Sequence, residues 1–324
     1  MIHSRIYLPS GELLRDVDGE SLKAHVQDGR CVVWLDLDSP SAEEVESLGP
    51  LLGIMDLTLE DVTKQGQRAK IESYDHYLYV VIHGIKLGEA DQRLSLPELD
   101  LLLGPNYLVT VHYEAMENVL QHRQIAEMTA STMGRGADFL LYTLVDSLVD
   151  SYFPVLDSLD DRIDQLEDDI VEHTTEGILA RIFTLKRDVV VLRKVISPQI
   201  EVFNQLTSRT YDLIQDRHIV YFRDVHDHLI RAFEVIDSYR DLMTGALDAY
   251  LSTVSNRLNS VMKRLTLIAT IFMPITFITG VFGMNFGSAP QVVWDNGAFF
   301  WLSLVGMAVI TAVQIVYFRL VGWI

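Results

Sequence analysis

Residues 265–282 read LTLIATIFMPITFITGVF, eighteen residues without a charge. A second uncharged run, AFFWLSLVGMAVITAVQIVYF, fills residues 298–318. Each can cross a ~30 Å hydrocarbon layer as a helix. Trp301 and Tyr317 stand near the ends of the second run, where amphipathic rings prefer to sit. Two such runs, adjacent and C-terminal, predict membrane spans rather than core helices.

Basic residues set the expected orientation. Lys263 and Arg264 precede the first span, Arg319 follows the second, and the connecting residues 283–297 hold no Lys or Arg. Both ends are therefore expected in the cytosol, with the loop outside. The first 30 residues lack a basic start followed by an apolar core, so no cleavable signal peptide is expected. Cys31 is the only cysteine of the 324 residues. That excludes an internal disulfide and a cysteine-cluster zinc site, and it suits a reducing compartment.

The formal net charge is −19, most of it before residue 265. Phosphate recognition needs Lys and Arg, so this balance argues against nucleic acid and favours cation attraction. No phosphate-binding glycine loop, dinucleotide fingerprint, nucleophile elbow or His-Glu-x-x-His motif occurs, which speaks against an enzyme.

Upstream of the spans the chain predicts three regions. Residues 1–135 carry apolar runs expected as strands at 6–8, 31–35, 78–85, 99–103 and 107–112, with a helix over 41–52 between them. This is a mixed α/β domain. Residues 136–218 predict an acidic pair of long helices, one over 139–173 and one over 178–211 with Pro198 as a kink. Residues 219–282 predict a stalk helix that continues into the first span. Sixty-odd residues at ~1.5 Å each make a rod of about 90–100 Å, and a helix that long needs partners.

The stalk helix carries the most telling pattern. Alternate steps of four and three from Asp248 give Ser252, Ser255, Asn259, Met262, Thr266, Ala269, Met273, Thr276 and Gly280. The period is 3.5, that of a coiled-coil seam, yet no position is Leu, Ile, Val or Phe. Neighbouring faces hold Leu265, Ile268, Ile271, Phe272, Ile275 and Phe277. A polar, small-residue ridge entering a membrane suits the wall of a water-filled axis, whose hydroxyls and amides can hold a hydrated ion. Close helix packing also uses small residues. Asp248, repeated around an axis, would concentrate cations at the cytosolic end.

The first span closes on Gly283-Met284-Asn285. That triplet, a short loop and one last span resemble the CorA family of divalent cation channels. The resemblance extends over Leu57-Thr-Leu-Glu-Asp61-Val, Gly66-Gln-Arg68-Ala-Lys70-Ile-Glu72, Asn106-Tyr-Leu-Val-Thr-Val-His112, the stretch from Leu141 to Asp150, Tyr221-Phe-Arg-Asp224-Val-His-Asp-His228, and the run from Tyr250 to Phe286. It implies an α+β cytosolic domain with long helices and two C-terminal transmembrane helices, in a funnel-shaped homopentamer of the cell inner membrane. It implies no covalent cofactor. Divalent cations serve as cargo and as regulatory ligands, with Mg2+, Co2+ and Ni2+ as candidates.

On that resemblance Asn285 rings the outer mouth, and Thr276, Met273, Met262, Asn259 and Asp248 fall on pore positions. Asp61 and Asp224 match carboxylates that bind a regulatory ion between adjacent subunits. The loop departs from the family: it reads Phe286-Gly-Ser-Ala-Pro290-Gln291-Val where Met-Pro-Glu-Leu is frequent, so Gln291 replaces an acid. The tail after Arg319 has no basic cluster. A zinc-transporting branch also lacks the acidic loop. Zinc favours nitrogen ligands, and His228 shares a helix face with Asp224 at i, i+4, while His226 does not. Three readings stay open: a magnesium channel, a zinc transporter of the same family, and a non-conducting metal-sensing scaffold.

Overall fold

A computed structural model describes residues 1–17, 19–88, 93–172, 177–284 and 297–323. The chain divides into two compact units: Met1–Asp169 with Thr175–Leu247, and Ile170–Thr174 with Asp248–Ile324.

The first unit begins with β1 (Ile2–Tyr7), β2 (Leu13–Arg15), α1 (Gly19–Asp28), β3 (Val32–Asp38), α2 (Ala42–Glu46), α3 (Leu48–Leu52) and α4 (Asp56–Lys64). It continues through β4 (Lys70–Ser73), β5 (Leu78–His83), β6 (Lys86–Leu87), β7 (Leu94–Ser95), β8 (Glu98–Leu103), β9 (Tyr107–His112), α5 (Glu117–Gln124) and α6 (Ala126–Met133). Seven strands make one sheet in the order β2-β1-β3-β9-β8-β5-β4. Among the described strands only the β3–β9 pairing is parallel; Leu35 faces Val109 there. Helices cover both faces, which is why β5 and β9 read as continuous apolar runs rather than alternating ones. On one face Leu35, Tyr79, Val81 and Val109 pack with Val45, Leu48, Leu59 and Val62 from α2–α4.

Long helices follow: α7 (Ala137–Asp150), α8 (Tyr152–Glu172) and α9 (Ile178–Ser208). The single helix expected over 139–173 is broken at Ser151. Pro154 explains the break, because its ring is tolerated in the first turn of a helix and not further in. The expected 41–52 helix is likewise split at Ser47, and a capping box of Ser41 with Glu44 starts its first half. Pro198 lies inside α9 as expected. A short 3-10 turn, Asp216–His218, leads into α10 (Ile219–Phe282), and α11 (Gly297–Leu320) ends the described helices.

Within the first unit the buried positions of α8 are Tyr152, Leu156, Leu159, Ile163 and Leu166. Those of α10 in the same unit are Phe222, Val225, Leu229, Ala232, Ile236, Tyr239, Met243 and Ala246. Both series step by three and four, the spacing of interlocking coiled-coil helices. Tyr239 Oη donates to Leu156 O at 3.0 Å across this packing. The acidity expected of the 136–218 pair is unequal. α8 carries eight acids and one Arg, whereas α9 carries five basic residues (Arg181, Lys186, Arg187, Arg193, Lys194) and two acids.

The 64-residue α10 and the 24-residue α11 are long and apolar enough to cross a membrane, and none of the most apolar eighteen residues of either is buried. Ala137–Val171 is also long enough but distinctly less apolar, and half of its most apolar window is buried inside the chain, which marks it as core. In the second unit, Gln314 Nε2 donates to Thr270 O at 3.1 Å and Lys263 Nζ to Gly322 O at 2.9 Å. Phe318 is buried and stacks on Trp323.

Candidate metal cluster and conduction seam

Two arrangements carry the predicted residues. The first is a cluster on α7 and α10. Near its base His218 Nδ1 donates to Asp138 Oδ2 at 2.7 Å, and the same oxygen accepts from Gln215 N at 2.9 Å. Tyr142 then packs on Tyr221, and Phe153 on His228, so the helices run in parallel. Their parallel course aligns two i, i+4 pairs: Asp146 with Asp150, and Asp224 with His228.

The ligand atoms of Asp146, Asp150 and His228 all lie within 4.8 Å of one another. His228 Nδ1 stands 3.2 Å from Asp150 Oδ1 without the alignment of a hydrogen bond, and it is shut off from solvent. Tyr142 Oη donates to Asp146 Oδ2 at 3.3 Å. Burial raises the Asp146 carboxyl above its ordinary value; Asp150 and Asp224 add to that, while Tyr142 and His228 oppose it. The Tyr142 phenol is pushed up to about 12, by burial first and then by Asp146. Crowded carboxylates that resist ionising together are what a divalent cation relieves. Six-coordinate ligands at about 2.1 Å stand about 3.0 Å apart when adjacent and about 4.2 Å when opposite, so three ligand atoms in this span suit one ion.

Asp61 belongs to a different group. It sits on α4 with Lys70 Nζ 2.5 Å away, and Lys70 also pairs with Glu72 at 3.1 Å. Burial works against the Lys70 charge, but its bonds to Asp61 and Glu72 outweigh that and hold it above its ordinary value. The sequence reading selected Asp224 and His228 and missed Asp146 and Asp150. The i, i+4 spacing of Asp146 and Asp150 was visible; the packing of α7 beside α10 was not.

The second arrangement is the ridge on α10. Asp248, Ser252, Ser255, Asn259, Met262, Thr266, Ala269, Met273, Thr276 and Gly280 are all exposed, Met273 by 70%. From Lys263 onward the partly covered positions are Lys263, Leu267, Thr270, Ile271, Pro274, Ile275 and Ile278. That is the face meeting α11, roughly 140° round the helix from the ridge at about 100° per residue. Thr270 and Thr279, off the ridge, turn their hydroxyls onto Thr266 O and Ile275 O. The hydroxyls of Thr266 and Thr276, on the ridge, have no partner among the described residues. The ridge also continues upstream at the same steps through Gly245, Asp241, Ser238, Glu234, Arg231 and Asp227 to Asp224, all exposed. Gly283 N closes the helix on Thr279 O at 2.9 Å, and Met284 is exposed. Asn285, Gln291 and Asp295 lie outside the described residues.

The profile of the family described as CorA-like Mg2+ transporter protein matches residues 30–320. The chain belongs to that family. Its members are membrane transporters rather than enzymes. A cobalt/magnesium transport protein CorA of Thermotoga maritima is 36% identical over 301 residues, covering 92% of this chain and 85% of that one. A zinc transport protein ZntB of Yersinia pseudotuberculosis is 24% identical over 262 residues, with 79% and 78% covered. In fold, the complete structure of the CorA magnesium transporter from Methanocaldococcus jannaschii superposes with a TM-score of 0.83 at 23% identity, over 99% of this chain and 98% of that one. This CorA-like chain therefore combines the family's soluble domain, long helices and terminal pair of apolar helices.

Proposed function

We propose that this CorA-like chain is one subunit of a homopentameric channel for divalent cations in the cell inner membrane, with both termini in the cytosol. One observation carries the reading: the polar ridge of α10 faces away from α11 and stays exposed. Two spans cannot enclose a conduit, but several copies of one ridge can. Threonine hydroxyls and the Asn259 amide would then contact the water shell of a passing ion. Asp248 would raise the local cation concentration at the cytosolic end. Gly283, Met284 and Asn285 would form the outer mouth. Recognition through retained water suits Mg2+, which dehydrates reluctantly.

Cytosolic metal would regulate the pore through Asp61, Asp224 and His228. The proximity of Asp146 and Asp150 to His228 adds two carboxylates to that set. An ion held there cancels repulsion between acidic faces and favours the closed ring; its loss loosens the subunits. The imidazole favours a second reading in which zinc is the cargo, because nitrogen ligands suit Zn2+ better than Mg2+.

Flux into proteoliposomes tests both. Magnesium, cobalt, nickel and zinc are supplied in parallel, with and without a proton gradient. Metal entry that is lost in Asn285→Ala, with assembly intact, is expected. Sealed vesicles containing folded oligomer would overturn transport, and entry of zinc alone would replace magnesium as the cargo.

A further inference from the structure

The charge of the first unit reverses locally. Between α8, α9 and Arg93 lies a cavity of about 810 Å³, lined by Arg93, Leu94, Arg162, Phe183, Thr184, Arg187, Asp188 and Val191. That volume is typical of small-molecule sites, commonly about 300–1,000 Å³. Of the guanidinium groups that line it, Arg162 and Arg187 share one carboxylate, Asp188, in a chain whose formal net charge is −19. Solubility in an acidic protein does not call for such a cluster, and like charges gathered round one cavity repel unless an anion joins them.

The one carboxylate compensates poorly. Arg162 Nη2 is 3.7 Å from Asp188 Oδ2, too long for a strong fork. Arg162 Nη1 is shut off from solvent and has no hydrogen-bond partner among the described residues. Burial raises the Asp188 carboxyl, against the opposing pull of Arg162 and Arg187. Arg187 is exposed beside it. A planar fork of this kind takes two phosphate oxygens at once. Phe183, one turn before Arg187 on α9, leaves 55% of its surface open. An exposed ring beside a cationic pocket offers a face on which a heterocyclic base can stack.

We infer that this cavity binds a nucleoside polyphosphate, with Arg162 and Arg187 on the phosphate chain and Phe183 against the base. The site stands apart from the α10 ridge in its residues and does not depend on ion conduction.

Calorimetric titration of the purified full chain in detergent and chelator tests it, with ATP and with sodium tripolyphosphate as separate probes. One saturable ATP site per chain is expected, with tripolyphosphate about tenfold weaker for want of stacking. Arg187→Gln should weaken both about tenfold, and Phe183→Ala should reduce ATP to the tripolyphosphate level. Both side chains are exposed, and an unchanged circular dichroism spectrum confirms folding. Absence of saturable ATP binding, or binding indifferent to Arg187→Gln, would overturn the site. Equal affinity for the two probes would overturn the nucleotide assignment.

Discussion

Two seams run along α10 at the same period, roughly 160° apart round the helix. One starts at Phe222 and is apolar and buried against its own chain; the other starts at Asp224 and is polar and exposed. A buried seam is complete within one copy, because its neighbours remove it from water. The exposed seam has no such neighbour among the described residues, and its Asp, Ser, Asn and Thr side chains would lose their water in a dry interface. Equal periodicity therefore says only that something lies alongside each face. Composition separates a packing face from a wet one.

The comparison breaks most visibly on the buried side. Phe222→Ala should lower unfolding stability by about 3–5 kcal/mol, the usual loss for a fully buried ring, whereas Ser238→Ala on the other seam should stay within about 0.5 kcal/mol. Denaturant titration reads both; equal losses would mean the two faces are alike. In the membrane, Thr276→Leu should cut metal flux at least about tenfold, a barrier increase of ~1.4 kcal/mol, while leaving assembly unchanged. Normal flux would show that this face points away from the ion path. At the soluble end, Asp224→Ala should raise the metal concentration needed for closure about tenfold. Closure at the original concentration would detach the exposed seam from regulation.

The smallest effect concerns pH. Burial raises the Asp146 carboxyl in the folded chain. A raised carboxylate contributes stability that is complete below its ordinary value of 3.8 and is lost as pH rises through the folded value. In chelator, the unfolding midpoint should therefore fall over that window, and Asp146→Asn should flatten it. Added divalent metal should restore the neutral-pH midpoint of the native chain only. An Asp146→Asn variant that keeps the slope would place its origin elsewhere.

Much of this was legible in the sequence, and the gaps have physical causes. The α10 ridge needed only spacing and residue type. The strands β5, β8 and β9 announced themselves because burial on both faces leaves unbroken apolar runs. β3 was cut short at Leu35 because Asp36 looks like a surface residue; it is 2% exposed, held by Arg123 at 2.9 Å and Thr110 at 2.7 Å. β4 was missed because Lys70 and Glu72 read as solvent-facing, whereas Lys70 reaches across to Asp61. Of the metal cluster only His228 was visible: it shares a turn with Asp224, which is not one of the three clustered residues, and no spacing rule says which helix will bring Asp146 and Asp150 beside it. Pro154 did mark the Ser151 break, and only its tolerance in a first turn says why.

The central claim is that the exposed seam meets water inside the bilayer. With Cys31→Ser as background, Met273→Cys and Ile271→Cys place one thiol on the ridge and one on the face that meets α11. A charged, water-soluble thiol reagent applied during metal flux should block the Met273→Cys channel and leave Ile271→Cys conducting. Block of both alike, or of Ile271→Cys alone, would contradict the account.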